Sequence, residues 1–281
     1  MQGVVGRSIA KIQNPKSKIA LVVLGVLVVL AFYTLSDPGR LADSHLLNAA
    51  DYAGYAICHR IPSRSFTIAG RQMPLCARCT GMYLGIFLTF AVLGLAGRWR
   101  WSELPPLRIL LILVGFVGVM GIDGINSYSH FFLELPHLYE PRNWLRLVTG
   151  MGTGLALGSI VFPALAQTLW REQVARPSLG NGREFGGLLL VGVAAILLVL
   201  SNQAAVLFVL AMVSAAGVVL IITALNTMVL LIAFRRDARS ERWWQAAGPL
   251  LVGLVLAIAE IAAVDVARFA LTGTMAGLPG L

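Results

Sequence analysis

Three cysteines, Cys58, Cys76 and Cys79, and four histidines, His45, His59, His130 and His137, carry the thiol and imidazole chemistry of this chain. The thiols form one block, Cys58-His59-Arg60 followed by Cys76-Ala77-Arg78-Cys79. Three chemistries suit it. The cysteines can hold zinc or another thiophilic metal with a histidine as fourth ligand; His59 adjoins Cys58 too closely to ligate beside it without strain, so His45, His130 or His137 is the better fourth ligand. Alternatively, Cys76 and Cys79 cycle between dithiol and disulfide while Cys58 serves as exchange partner. In the third reading one disulfide staples a loop and the odd cysteine is idle. The spacing does not choose among them.

The elements that must position these thiols are membrane helices. Of 281 residues, 58% are hydrophobic and 12% charged, against roughly 45–50% apolar usage in soluble domains, and the mean hydropathy is +0.80. Runs long enough to cross a hydrocarbon core of ~30 Å, about 20 helical residues, lie near 19–36, 80–97, 107–125, 144–167, 186–201, 204–234 and 246–271. An all-α, polytopic transmembrane bundle of about seven spans is expected, since no β-barrel alternation appears. The first run follows a basic tail and lacks a small-residue cleavage pattern, so it reads as an uncleaved anchor. The expected divisions are a cytoplasmic tail (1–18), a four-span cysteine-containing membrane domain (19–167), a cytoplasmic loop (168–185) and a three-span C-terminal bundle (186–281).

Placing the N-terminus inside puts Arg7, Lys11, Lys16, Lys18, Arg98, Arg100, Arg108, Arg171, Arg176, Arg183, Arg235, Arg236, Arg239 and Arg242 on the cytoplasmic side. The other side receives eight arginines, Arg40, Arg60, Arg64, Arg71, Arg78, Arg142, Arg146 and Arg268, and no lysine. This excess orients the chain N-terminus in and C-terminus out, in an inner (cell) membrane, with every Cys and His in a structured extracytoplasmic loop region. The formal charge of +9 then reflects topology, and membrane lipids rather than nucleic acid are the expected partners. Trp99, Trp101, Trp243 and Trp244 read as headgroup-level anchors at the inner ends of spans.

Cys76-x-x-Cys79 falls just ahead of the second span. There the free N–H groups and positive dipole end of a helix stabilise an anion, and Arg78 adds a cation, so either thiol can have a lowered pKa. Asp123, Asn143 and Arg146 sit at the outer ends of the third and fourth spans and would form a polar floor beneath the thiols, with Asp123 paired to Arg146. Arg60, Arg64, Arg71 and Arg78 run against the positive-inside trend; their guanidiniums suit phosphate and carboxylate, or pair with Asp43, Asp51, Glu134 or Glu140. Glu260, near the middle of the last span, is a candidate proton site, unless a neighbouring helix satisfies it through Asn226. Asp265 and Arg268 are spaced to pair as i and i+3.

Cys58-His59-Arg60-Ile61-Pro62-Ser63-Arg64-Ser65-Phe66, Gly70, Met73-Pro74-Leu75-Cys76-Ala77-Arg78-Cys79-Thr80-Gly81-Met82-Tyr83, Gly121-Ile122-Asp123-Gly124 and the run from Asn143 to Gly150 together resemble one bacterial family. It is the family of uncharacterised membrane proteins called domain of unknown function 2085, and the resemblance covers about residues 50–160. It implies a membrane protein and supplies no activity, cofactor or residue role.

No Gly-rich phosphate loop ending in Lys-Ser/Thr, HExxH or G-x-S-x-G elbow occurs, which disfavours ATP hydrolysis and zincin-type proteolysis. Thr80 stands where a c-type haem attachment needs histidine. The reading is an integral membrane protein with an extracytoplasmic cysteine-based site for a metal such as zinc or for thiol redox chemistry. The alternative is a transporter or lipid-phosphate-handling protein using the outer arginines and Glu260, its cysteines purely structural.

Overall fold

A computed structural model describes residues 37–130 and 138–274. The basic tail, the first apolar run, Glu134 and His137 lie outside them. The described chain opens with two helices, α1 (Pro38–Ala42) and α2 (His45–Ile57). Asp37 caps the first through its carboxylate, which accepts from Gly39 N–H at 3.0 Å; Ser44 Oγ caps the second from Leu46 N–H at 3.2 Å, as short polar side chains do at helix starts. A short turn (Pro62–Arg64) and an antiparallel hairpin, β1 (Thr67–Ile68) with β2 (Arg71–Gln72), lead back to the membrane. Gly70 turns the hairpin at φ 86°, a conformation that glycine adopts without steric cost.

The remaining helices are α3 (Ala77–Leu95), α4 (Leu107–Ser129), α5 (Asn143–Leu169), α6 (Gly182–Leu200), α7 (Ala204–Ala233) and α8 (Trp243–Thr272). All six are long and apolar enough to cross a membrane, and the protein is a multi-pass helical membrane protein embedded in lipid. Of the seven expected spans, the first falls outside the described residues and the other six are present. The break at Ser201-Asn202-Gln203 separates α6 from α7, with Asn202 in the left-handed region at φ 54°.

α5 is the most buried of the six and packs along α3, while α4 and α8 turn most of their surface outward. Small residues permit the α3–α5 approach. A Cβ at Gly150 would lie well inside 3.0 Å of the Arg78 carbonyl oxygen, and one at Gly154 would meet the Met82 carbonyl. Membrane helices meet this way because lipid offers no hydrophobic gain for side-chain burial, so backbone contact and dispersion must hold them.

The end of the bundle opposite the cysteines is tied by elements with no hydropathy signature. A parallel pair, β3 (Trp101–Glu103) with β4 (Val174–Pro177), joins two loops. Arg98 bridges to Glu184 at 2.6 Å. Two of the tryptophans expected as anchors also pack on one another, Trp243 meeting Trp99 edge-on at 5.4 Å, and Trp243 meets the buried Trp170 edge-on at 4.7 Å.

Candidate thiol site

Cys58 follows the last turn of α2, its N–H returning to Gly54 O at 2.9 Å. Gly54 is needed there, since a Cβ would overlap the Pro74 carbonyl two residues before Cys76. Past Cys58 the chain reverses through Arg60, held at φ 51°. That turn aims the Arg60 N–H at Cys58 Sγ, 3.5 Å away. The Arg60 side chain is anchored by Asp51 at 2.9 Å, which also takes Arg71 at 2.6 Å. The hairpin then delivers Cys76, which donates its own N–H to Cys58 Sγ at 3.3 Å and begins α3 as its N-cap.

The three sulfur atoms lie within 4.8 Å of one another, and all three are free thiols. Cys76 is held well below the usual thiol range, first by the Cys58 and Cys79 thiols beside it and further by the Arg78 guanidinium. Cys58 moves the opposite way, to about 11, because its contact with Cys76 and its burial both disfavour a second negative charge. Charge is therefore favoured first at Cys76 and resisted at Cys58.

A cavity of about 160 Å³ opens in front of the sulfurs, lined by the three cysteines, His59, Ile61, Tyr128 and the side chains of Arg64, Arg78 and Arg146. Behind it lies a buried polar network. Asp123, 1% exposed, accepts from Arg78 Nε at 3.1 Å, from Arg78 Nη2 and from Tyr139 Oη at 2.7 Å. Burial and the bond to that carboxylate push Tyr139 up to about 12. Arg78 also reaches Ser127 Oγ at 3.0 Å, and Arg64 donates to the Ser127 carbonyl at 3.0 Å.

Several expected placements are altered. Asp123 takes Arg78 as its partner, not Arg146, because the close α3–α5 contact swings Arg78 toward α4. Arg146 lines the cavity and bonds to Asn143 Oδ1 at 2.8 Å, while Asn143 donates to Ser63 O at 3.2 Å. Arg60 and Arg71 belong to Asp51 and do not line the cavity. No described histidine joins the sulfur group: His59 only lines the cavity, His45 starts α2, and His130 Nε2 lies 3.1 Å from the Tyr139 carbonyl.

Asp265 and Arg268 do not pair. Arg268 donates to the Tyr55 and Cys58 carbonyls and lies over the Tyr55 ring, leaving a buried Asp265 oxygen without a partner. Glu260 faces the outside of the bundle, satisfied by Asn226 Nδ2 at 3.0 Å. Ser127, Tyr128 and Tyr139 escape a sequence reading; the one clue is that Ser127 lies one helical turn beyond Asp123, on the same face.

A family model described as predicted membrane protein (DUF2085) matches residues 58–160, which include all three cysteines and the Asp123 network. The chain is 37% identical over 101 residues to an uncharacterised protein of Methanothermobacter thermautotrophicus, covering 36% of this chain and 80% of that one. It is 30% identical over 122 residues to an uncharacterised protein of Methanocaldococcus jannaschii, covering 43% and 72% respectively. Both relatives are archaeal, so the bacterial restriction expected from the resemblance does not hold. No solved structure matches the chain.

Proposed function

The chain belongs to the DUF2085 family of membrane proteins, and we propose that the part it shares with that family is a thiolate site that binds a thiophilic metal ion, zinc being the reference case, through Cys58, Cys76 and Cys79. The mutual approach of all three sulfurs within 4.8 Å carries this reading. Tetrahedral ligation at Zn–S ≈ 2.3 Å needs sulfurs ~3.8 Å apart, whereas dithiol cycling requires only two sulfurs near each other, with the third as an exchange partner. The two N–H groups aimed at Cys58 Sγ favour a sulfur that carries negative charge. Three protein ligands leave a tetrahedral ion one position, facing the cavity.

Zinc titration of the purified, reduced chain against a competing chelator tests it. One ion per chain is expected, and Cys58→Ser should weaken binding by more than the about 10–100-fold that loss of an outer hydrogen-bonding partner costs a metal site. Because Cys58 keeps its proton to about 11, zinc must displace it. Affinity therefore falls about tenfold per pH unit for each displaced proton between about pH 8 and 6. A chain that binds no zinc yet forms one reversible disulfide assigns the block to redox cycling instead.

The distribution of arginine and lysine supports a cell-membrane orientation with the thiols extracytoplasmic and the N-terminal tail inside. A membrane-impermeant thiol reagent should then label the reduced, metal-free protein in intact spheroplasts. Labelling only after lysis reverses the orientation.

A further inference from the structure

Arg146 is 6% exposed, yet it forms no ion pair with a described residue. Among the described residues its bonded side-chain partner is the neutral amide of Asn143, and its buried Nε has no partner there. Three neighbouring guanidiniums are answered by carboxylates: Arg60 and Arg71 by Asp51, Arg78 by Asp123. A buried charge left without its counter-charge is strongly unfavourable, and among the described residues no carboxylate lines the cavity that Arg146 faces.

We propose that this cavity binds a small tetrahedral oxyanion of the phosphate type, either a free ion or a lipid headgroup, held by Arg146 and Arg78 with Arg64 on the facing side. The volume of about 160 Å³ admits a five-atom oxyanion and is small against the roughly 300–1,000 Å³ of drug-sized sites. The three guanidiniums come from different elements, the Pro62–Arg64 turn, the start of α3 and the start of α5. Donors arriving from three directions match a tetrahedral acceptor better than a planar carboxylate, and the guanidinium fork suits phosphate oxygens. Arg60 and Arg71, bound to Asp51, do not line the cavity and take no part. The assignment goes beyond the metal reading and stands without it, because it rests on Arg146 and the carboxylates.

The test is thermal unfolding of the reduced, metal-free full chain in detergent, titrated with inorganic phosphate at constant ionic strength made up with chloride. A saturable rise in Tm of about 3–5 °C at about twenty times the dissociation constant is expected. Arg146→Gln should be as stable as the wild type or more so in chloride, since it removes the unmatched charge, and should lose the phosphate response. Arg146→Lys keeps the charge without the fork and should respond weakly. In phosphate-free nanodiscs, a rise with phosphatidylglycerol but not with phosphatidylcholine alone, abolished by Arg146→Gln, identifies the headgroup as the source; a rise with inorganic phosphate identifies the free ion. Wild-type protein indifferent to both, or Arg146→Gln responding as the wild type does, overturns the assignment. Zinc titration of the same samples reads the metal site separately, so either idea can fail alone.

Discussion

Asp123→Ala is expected to destabilise the protein by about 3–5 kcal/mol, the range for removing one partner of a buried ion pair. Asp123 is the common acceptor for Arg78, Tyr139 and Thr149, so alanine strands a guanidinium and a phenol at once. Asp123→Asn keeps the shape and some hydrogen bonds and should lose less. The double replacement Arg78→Met with Asp123→Leu should recover most of the loss, because an apolar pair of similar volume avoids both desolvation penalties. Equilibrium unfolding in mixed detergent micelles measures all four chains. A single Asp123→Ala loss below about 1 kcal/mol, typical of an exposed pair, would show that the network does not brace α3 against α4.

Gly150→Ala should damage stability and site together. The added methyl overlaps the carbonyl oxygen of Arg78, the residue between Cys76 and Cys79, so α3 must retreat from α5 and carry both thiols with it. Overpacking of this kind costs about 1–3 kcal/mol, and zinc affinity should fall at least about tenfold, because ligand distances tolerate only about ±0.2 Å. Gly186→Ala in α6 is the control: nothing lies within 4 Å of its added Cβ, and the substitution should leave binding alone while stabilising its helix by up to about 1 kcal/mol. Equal effects from the two changes would mean that helix propensity, not the backbone contact, governs the result.

The spans were legible because an apolar run of membrane-crossing length has few other uses, and even the three-residue break at Asn202 was readable. The placement of Cys76 at a helix start follows from its position before the second apolar run, whereas the meeting of Cys58 with it depends on the hairpin of β1 and β2, which has no hydropathy signature. What sequence could not give is rotation. Asp123 was matched to Arg146 because both lie at neighbouring span ends. The actual partner depends on the angle at which Gly150 and Gly154 let α3 roll onto α5, which turns Arg78 toward α4. Asp51 serving two arginines, and Arg268 leaving Asp265 for two carbonyls, are likewise contacts between helices whose relative azimuth no hydropathy pattern encodes. The paired strands β3 and β4 are too short to show alternation.

The grip of Arg268 on the Cys58 carbonyl spans 210 residues of sequence, and this sets a timetable. Translation at about 5–20 residues per second separates the two residues by about 10–40 s. Throughout that interval the nascent chain holds Cys58, Cys76 and Cys79 without the last helix. The segment that the family model matches, residues 58–160, is synthesised well before the last helix, but its first cysteine is fastened only when that helix arrives.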